Sequence, residues 1–260
     1  MTGRLTVAVV YPDLLGTYGD GGNGLVLARR AEWRGIETEL VMATSDRPLP
    51  GADLYCLGGG EDGPQVRAAA ALADDGGLAR AVADGAVVLA VCAGYQIVGR
   101  TFPAADGTPR PGVGLLDVTT VKATGPRAVG EVVAEPVGGA PGWPALSGFE
   151  NHGGHTTLGP AAAPLAAVVV GTGNGDGSGT EGAWCERVVG TYLHGPVLAR
   201  NPALADHLLC WALGRQALDP LDDHREEALR RERLGAARRR RRAAVGAGPL
   251  RTPVTGAGPA

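Results

Sequence analysis

The segment over residues 86–96 constrains the fold of this chain more than any other. Residues 86–91 form an uninterrupted apolar run, which is typical of a central strand covered on both faces. Cys92 follows, and the small residues Ala93 and Gly94 allow a sharp turn into a helix. Such a turn exposes the cysteine sulfur and aims the first N–H groups of the helix at it, which favours a reactive thiolate. The alternative is a small buried hydrophobic residue at a strand end.

Strand and helix signals alternate along the first hundred residues. This alternation predicts a mostly parallel, doubly wound sheet, in which ligands gather at the carboxyl ends of the strands. After Pro111 the predicted strands are separated by long Gly/Pro loops, so we expect antiparallel additions to a single three-layer α/β domain. The predicted strands cover residues 5–11, 36–41, 53–57, 86–91, 113–121, 128–134, 166–170 and 187–193, and the predicted helices cover residues 24–34, 65–83, 93–100 and 202–213.

The charge of the chain is divided unevenly. The formal net charge is −3, but residues 225–260 contain ten Arg and three Glu, so the tail carries +7 and the rest −10. We therefore expect one domain over residues 4–214 and a basic, largely disordered tail over residues 215–260. A charged helix over residues 224–242 is the alternative for the first part of the tail. The arginine run at residues 238–242 could contact nucleic acid or anionic lipid, but nothing else in the sequence favours a nucleic-acid partner.

The remaining composition favours a cytoplasmic protein. No apolar run has the length of a membrane span, and the N-terminus lacks the pattern of a signal peptide. The four cysteines are widely spaced and form no C-x-x-C pair, so neither a disulfide framework nor a metal site is expected. The sequence also lacks a P-loop and a strand-associated G-x-G-x-x-G, so we expect no nucleotide cofactor in this chain.

His194 follows a predicted strand, as Cys92 does. Two strand-end residues of one parallel sheet can meet in one cleft, where a histidine would exchange a proton with the sulfur. The triplet Gly58-Gly59-Gly60 also follows a predicted strand, and its backbone could donate N–H groups to an oxyanion. Taken alone, a histidine at this position is more often part of an ordinary surface turn, and it is the pairing with Cys92 that favours a catalytic role.

These residues together resemble a known family. The order of a strand with a GGG loop, then V-C-A-G-Y-Q, then Y-L-H-G-P, is similar to the class I glutamine amidotransferases of the cobyric and cobyrinic acid branch. Within that branch, the N-terminal run Y-P-D-L-L-G-T-Y-G-D-G-G-N over residues 11–23 resembles the GatD glutaminase subunits of lipid II isoglutaminyl synthases. The resemblance covers residues 4–214.

The resemblance implies a reaction and a set of roles. Cys92 would attack the side-chain amide of L-glutamine, and His194 would protonate the departing ammonia. The N–H groups of Gly59 and Ala93 would form the oxyanion hole. The resemblance also implies substrate contacts for Arg127, whose guanidinium suits a carboxylate, and makes candidates of Gln96 and Gly60.

The resemblance further implies a partner. A MurT-like ligase of the Mur family would hold ATP and Mg²⁺ and amidate the D-isoglutamate of the lipid II stem peptide with the ammonia, in a heterodimer. Lipid II would reach this chain only through that partner.

One position departs from the class I pattern. Many members carry a glutamate two residues after the histidine, and this chain has Pro196 there. The resemblance implies that the partner supplies an aspartate instead, in which case the isolated chain would be a poor glutaminase. Glu150, Glu181 and Asp206 remain candidates within the chain.

Other interpretations stay open. Asn151, His152 and His155 could form a second histidine site, but without a third ligand this spacing in a glycine loop is more often an ordinary polar turn. A cobyric-acid-type amidotransferase would share the Cys/His pair, but that resemblance implies a fused, ATP-using synthetase domain. An unrelated cysteine hydrolase would act without a partner, and a silent binding subunit would not need Cys92.

Overall fold

The computed structural model describes residues 4–138 and 142–246. In chain order the strands are β1 (Leu5–Val10), β2 (Thr38–Ala43), β3 (Leu54–Leu57), β4 (Val87–Val91), β5 (Thr101–Pro103), β6 (Pro109–Pro111), β7 (Val118–Lys122), β8 (Ala128–Glu135), β9 (Leu146–His152), β10 (Gly154–Leu158), β11 (Ala166–Val170), β12 (Thr180–Glu181), β13 (Ala183–Cys185) and β14 (Val188–Thr191). The helices are α1 (Gly22–Glu32), α2 (Asp62–Asp75), α3 (Gly77–Ala83), α4 (Ala93–Val98), α5 (Val197–Arg200), α6 (Pro202–Leu213) and α7 (His224–Gly246).

A six-stranded sheet in the order β13-β14-β4-β3-β1-β2 forms the centre of the molecule. Neighbouring strands from β14 to β2 run parallel, and β13 joins the edge antiparallel to β14. Every residue of β3, β4 and β14 is buried, as the continuous apolar runs predict for strands covered on both faces. The carboxyl ends of the parallel strands share one edge, which therefore receives the GGG loop, Cys92 and His194.

Helices cover this sheet and complete the predicted α/β architecture. Helix α1 packs against β1 and β2, helix α4 against β4 and β14, and helix α6 against α1 and β4. Leu204 and Leu208 of α6 are fully buried, as their helical spacing predicts. The α/β fold class is confirmed.

The antiparallel strands form two further four-stranded sheets, in the orders β10-β7-β5-β6 and β12-β11-β8-β9. Among the described strands, β13 alone is an antiparallel addition to the central sheet itself. Strands β9 and β10 are missing from the sequence prediction because glycines and polar residues interrupt them. Gly148 of β9 packs too closely against Leu193 for a side chain, since a Cβ there would lie 2.6 Å from the Cβ of Leu193.

The single helix predicted over residues 65–83 is wrong in its bounds. The structure has two helices, α2 and α3, that meet at Gly76. Gly76 adopts a left-handed conformation with φ of 63°, which ends α2 and which side-chain-bearing residues rarely adopt.

The first part of the tail is helical, and it is attached to the domain. Helix α7 corresponds to the charged helix that the sequence allows, and it packs against β8, β9 and β11. The expectation of disorder for residues 247–260 lies outside the described residues. In the part of the chain that the structure describes, no helix is long and apolar enough to cross a membrane.

The connection before α7 is fixed by a buried charge cluster. The side chain of Arg30 is 3 % exposed and donates hydrogen bonds of 2.6–2.8 Å to both Asp206 and Asp223. Arg34 adds bonds to Asp206 and to the carbonyl of Asp219. The segment that links α6 to α7 is therefore held against α1.

Candidate active site

Cys92 lies at the turn between β4 and α4, as the sequence predicts. Its φ of 54° and ψ of −106° are unusual for a residue with a side chain and form a sharp strand-to-helix turn. Gly94 makes this turn possible, because a Cβ there would lie 2.7 Å from the Cβ of Leu57. The N–H of Cys92 donates to the carbonyl of Thr191 at 2.9 Å, which ties the turn to β14.

His194 follows β14 and is held by its backbone to a neighbouring sheet. It forms a bridge to Phe149 of β9 through hydrogen bonds of 2.8 and 3.1 Å, and its side chain is buried. Gly59 separates the histidine from the cysteine: a Cβ on Gly59 would lie 2.9 Å from His194 Cε1 and 3.6 Å from Cys92 Cβ. The structure thus brings the two predicted catalytic residues to the same glycine.

Asp20 is the acid that contacts the histidine, and it lies within the chain. His194 Nδ1 donates to Asp20 Oδ2 at 2.8 Å, and both side chains are 2 % exposed or less. This bond orients the imidazole with Nδ1 protonated and leaves Nε2 without a hydrogen bond among the described residues. The histidine therefore has an orienting acid although residue 196 is proline.

The three acids considered from sequence all have other partners. Glu150 accepts from the N–H groups of Thr172 and Gly173. Glu181 accepts from Thr191 and from the N–H of Tyr192. Asp206 binds Arg30 and Arg34, as described above. None of these contacts involves His194, so these candidates are wrong.

The sequence prediction missed Asp20 because its contact with His194 depends on tertiary structure. It lies in the polar loop after β1, 174 residues before His194. A usable signal was present, since the loop follows a parallel strand of the same sheet and therefore lies at the carboxyl edge where Cys92 and His194 lie. The class I pattern directed attention to the position after the histidine instead.

Asp20 also changes the pKa of His194. Burial of the ring lowers the pKa, but the hydrogen bond to Asp20 and the nearby Cys92 sulfur outweigh burial and raise it to about 10. At neutral pH the imidazole therefore carries its proton. A protonated histidine beside a cysteine is suited to donate a proton to a leaving group.

The predicted oxyanion donors are the N–H groups of Gly59 and Ala93, and the N–H of Gly59 already has a hydrogen-bond acceptor. The N–H of Gly59 donates to Asp20 Oδ2 at 2.9 Å, so in this structure Asp20 holds both the histidine and the GGG loop. Ala93 follows Cys92 in the first turn of α4, and Gly60 lines the cleft beside them. Gly60 is close-packed, since a Cβ there would lie 3.0 Å from the carbonyl oxygen of Leu14.

A cleft opens beside Cys92, and the predicted substrate-binding residues line it. Gln96 is fixed by two neutral hydrogen bonds: its Oε1 accepts from Gln65 at 2.8 Å and its Nε2 donates to Tyr192 at 3.1 Å. Arg127 lies at the exposed side, where it donates to the side chain and the carbonyl of Asn151. The cleft is lined by Gly60, Asp62, Gln65, Cys92, Ala93, Gln96, Pro103, Ala104, Lys122, Arg127, His152, Gly153 and Gly154.

The polar cluster around His152 lies on strands and not in a glycine loop, so that part of the sequence interpretation is wrong. Asn151 and His152 end β9 and His155 lies on β10. His152 stacks on Tyr192 with ring centroids 3.7 Å apart, and its Nδ1 lies 3.0 Å from the carbonyl of Gly154. Among residues 4–138 and 142–246, no group of three or more His, Cys, Asp or Glu side chains could hold a metal ion.

Tyr18 covers the histidine from the same loop as Asp20. Its ring centroid lies 4.9 Å from that of His194, and its hydroxyl accepts from Asn151 at 2.5 Å. Because Asn151 also binds Arg127, the loop after β1 is connected to the cleft through side chains.

A buried strand-end cysteine, a histidine with an acid partner and an adjoining polar cleft lie together at the carboxyl edge of a doubly wound α/β fold. Solved structures share this fold at low sequence identity. A crystal structure of a glutamine amidotransferase covers 79 % of this chain and 98 % of its own, with a TM-score of 0.54 and 19 % identity. The PurLQS structure from Thermotoga maritima gives a TM-score of 0.53 and 18 % identity over 82 % of this chain and 99 % of its own.

Sequence comparison identifies the family. The CobB/CobQ-like glutamine amidotransferase domain matches residues 6–202. The lipid II isoglutaminyl synthase (glutamine-hydrolyzing) subunit GatD of Staphylococcus aureus is 35 % identical over 218 residues, covering 83 % of this chain and 87 % of its own. The GatD subunit of Streptococcus pneumoniae is 34 % identical over 82 % of each chain. This chain belongs to the CobB/CobQ-like glutamine amidotransferase family, within its GatD group, and is an enzyme with glutamine amidotransferase activity.

A more distant relative matches over a shorter region. The cobyric acid synthase of Pelotomaculum thermopropionicum is 37 % identical over 152 residues, which is 54 % of this chain but 28 % of that protein. The match to the GatD subunits is therefore more extensive in both chains.

Proposed function

We propose that this chain hydrolyses L-glutamine to glutamate and ammonia through a thioester on Cys92. The ammonia passes to a MurT-like, ATP-dependent ligase subunit that amidates the D-isoglutamate of the lipid II stem peptide, a step of peptidoglycan synthesis. The observation that carries the chemistry is the pair formed by His194 and Asp20 beside Cys92, at the end of a cleft with charged walls. The acceptor is inferred from the names of the two GatD relatives.

In the first half of the reaction, the Cys92 thiolate attacks the amide carbon of glutamine, and the carbonyl becomes an oxyanion. The N–H of Ala93 stabilises this charge, and so does the N–H of Gly59 once glutamine displaces its bond to Asp20. The carbon–nitrogen bond then breaks while His194 Nε2 gives its proton to the departing nitrogen. The products are free ammonia and a thioester.

In the second half, water releases glutamate. His194, now neutral, takes a proton from the water as it attacks the thioester, and Cys92 leaves as a thiolate. Acylation helps this step, because an acylated sulfur no longer raises the pKa of the imidazole. Asp20 stabilises the imidazolium in both halves without taking up the proton.

The position of Asp20 changes the role expected of the partner. The resemblance implied an aspartate donated by the ligase, whereas His194 already binds Asp20 at 2.8 Å. We therefore propose that the ligase activates the acceptor carboxylate with ATP and Mg²⁺ and receives the ammonia, and that the histidine is oriented within this chain.

The test is glutamate release from L-glutamine by the purified chain, with and without a MurT-like subunit. We expect measurable release by the chain alone, because its catalytic residues are complete. Cys92→Ala should abolish release and leave partner binding intact, whereas Cys210→Ala, which changes a cysteine outside the cleft, should retain both. Glutamate release by the Cys92→Ala variant would refute the mechanism. Activity that requires the partner would mean that the partner supplies the acid that orients His194.

A further inference from the structure

The charged walls of the cleft match the head group of a free amino acid. One carboxylate, Asp62, and two cations, Lys122 and Arg127, line the same cleft as Cys92. The other named polar side chains in the cleft are neutral amides or histidine. A substrate with one charge would leave one of these walls unmatched, whereas a zwitterion carries both signs.

Asp62 is free to bind a ligand. It lies in the first turn of α2, immediately after the loop that carries Gly60, and it forms no hydrogen bond or ion pair with any residue of the described ranges. A charged carboxylate that lines a cleft without a partner is a suitable contact for an ammonium group. The nearby side chains of Gln65 and Gln96 are uncharged and hydrogen-bond to each other, so neither balances the charge of Asp62.

The two cations likewise have no carboxylate partner within the described part of the chain. Lys122, at the end of β7, donates to the backbone carbonyl of Ala105, and Arg127 donates to the side chain and carbonyl of Asn151. These neutral acceptors orient both side chains without cancelling their charges. Each retains N–H groups that can bind an anion, since an ammonium has three donors and a guanidinium five.

Glutamine is long enough to place its amide at Cys92 and its charged α-groups further along the cleft. Two methylene groups separate the amide carbon from Cα, so a glutamine with its amide at Cys92 presents its α-ammonium and α-carboxylate further along the cleft. We propose that Asp62 binds the α-ammonium of glutamine and that Lys122 joins Arg127 on the α-carboxylate, which makes Asp62 and Lys122 the residues that select a free amino acid over other primary amides. This proposal rests on the proposed glutaminase function.

A substrate pair tests the role of Asp62 directly. Glutaramate is glutamine without its α-ammonium, so the full-length chain should prefer glutamine to glutaramate in kcat/KM by tenfold or more. Asp62→Asn should raise the KM for glutamine about tenfold with little change in kcat, and should leave glutaramate unaffected. Glu61→Gln removes the same charge from the neighbouring residue, which does not line the cleft, and should change neither substrate. An unaltered preference in Asp62→Asn would overturn the assignment.

Lys122 allows a test that needs no turnover, because it is the only lysine of the chain. An amine-acetylating reagent should modify Lys122 and the α-amino terminus, as read by mass spectrometry. In a Cys92→Ser variant, saturating L-glutamine should protect Lys122 several-fold and leave the terminus unprotected, whereas L-glutaminamide, which lacks the α-carboxylate, should protect little. Equal protection by both compounds, or by neither, would overturn the role of Lys122. Protection without ammonia release by the unmodified enzyme would instead refute the proposed function alone.

Discussion

At the residue scale, the most consequential contact is the one between Asp20 and His194. A carboxylate oxygen of Asp20 accepts from both His194 Nδ1 and the N–H of Gly59, so one side chain positions the histidine and restrains the loop of the predicted oxyanion hole. Cys92 and His194 could be predicted from sequence, because each ends a buried apolar run. For Asp20, the sequence could place its loop at the same edge of the sheet, but only packing decides that this carboxylate contacts the histidine.

Replacement of Asp20 by asparagine tests this contact in catalysis. The amide removes the charge that stabilises the imidazolium, so kcat for glutamine should fall at least a hundredfold while KM changes little. Steady-state ammonia release measures both constants. Asp13→Asn, in the same loop but bonded to Ser45, is the matched control and should keep its activity. A kcat close to that of the unmodified enzyme would refute the role of Asp20.

Asp20→Asn also tests a pH dependence of the free energy of unfolding. The pKa of His194 is raised to about 10 in the folded protein, so the bond to Asp20 stabilises the fold fully below the unfolded pKa of about 6.5 and loses this effect as pH rises to about 10. Each pKa unit corresponds to about 1.4 kcal/mol. The difference in the free energy of unfolding between the unmodified chain and Asp20→Asn should therefore be largest near pH 6 and shrink toward pH 10, as measured by denaturant unfolding. A pH-independent difference would contradict this linkage.

Arg127 is a residue whose role in substrate binding stays a prediction. It lines the cleft and keeps donors free beyond its bonds to Asn151. Arg127→Ala should raise the KM for glutamine more than tenfold, equivalent to about 1.4 kcal/mol or more of lost binding, with a smaller change in kcat. Arg110→Ala, an exposed cation outside the cleft, should leave KM unchanged. An unaffected KM in Arg127→Ala would remove it from the binding site.

At the scale of elements, the turn between β4 and α4 places Cys92 at the cleft. Gly94 permits α4 to approach β3, since its N–H donates to the carbonyl of Gly58 at 3.1 Å and a Cβ would lie within 3.1 Å of three atoms of Leu57 and Gly58. The first turn of α4 therefore begins directly after Cys92. The sequence pattern C-A-G predicted this turn correctly.

Gly94→Ala is expected to damage both stability and activity. A methyl group 2.7 Å from Leu57 Cβ forces α4 away from β3, and such overpacking typically costs about 1–3 kcal/mol. Thermal unfolding should show a lower Tm, and ammonia release should fall more than tenfold because Cys92 shifts with the helix. Gly63→Ala provides the control, since a Cβ there meets nothing within 4 Å and alanine favours the helix interior. Normal activity in Gly94→Ala would show that the close approach is dispensable.

At the scale of the whole molecule, the acidic body and the basic tail are joined through buried charges. Arg30 of α1 links Asp206 of α6 to Asp223, directly before α7. Helix α1 begins two residues after Asp20, so the helix that holds the tail also continues from the loop that binds His194. A domain boundary near residue 215, as expected from composition, is therefore crossed by specific contacts.

Asp223→Ala should loosen this connection and leave the residues of the candidate active site unchanged. The loss of two bonds to a buried guanidinium should lower the local free energy of opening at residues 215–230 by about 1–3 kcal/mol. Native-state hydrogen exchange would show faster exchange over this segment, while α1 and β1 keep their protection. Asp222→Ala, at an exposed residue bonded to His224, should show no such change. Equal exchange in both variants would indicate that α7 is held by its apolar contacts alone.

The sequence by itself determined the architecture of the central sheet and the places of Cys92 and His194. These features follow from local rules, because buried parallel strands are continuous apolar runs and their carboxyl ends share one edge. The tertiary structure alone decided the acid of the histidine, the strands β9 and β10 and the attachment of the tail. Those depend on contacts between residues far apart in the chain, such as the 174 residues between Asp20 and His194, and no local pattern encodes which distant carboxylate a folded chain brings to an imidazole.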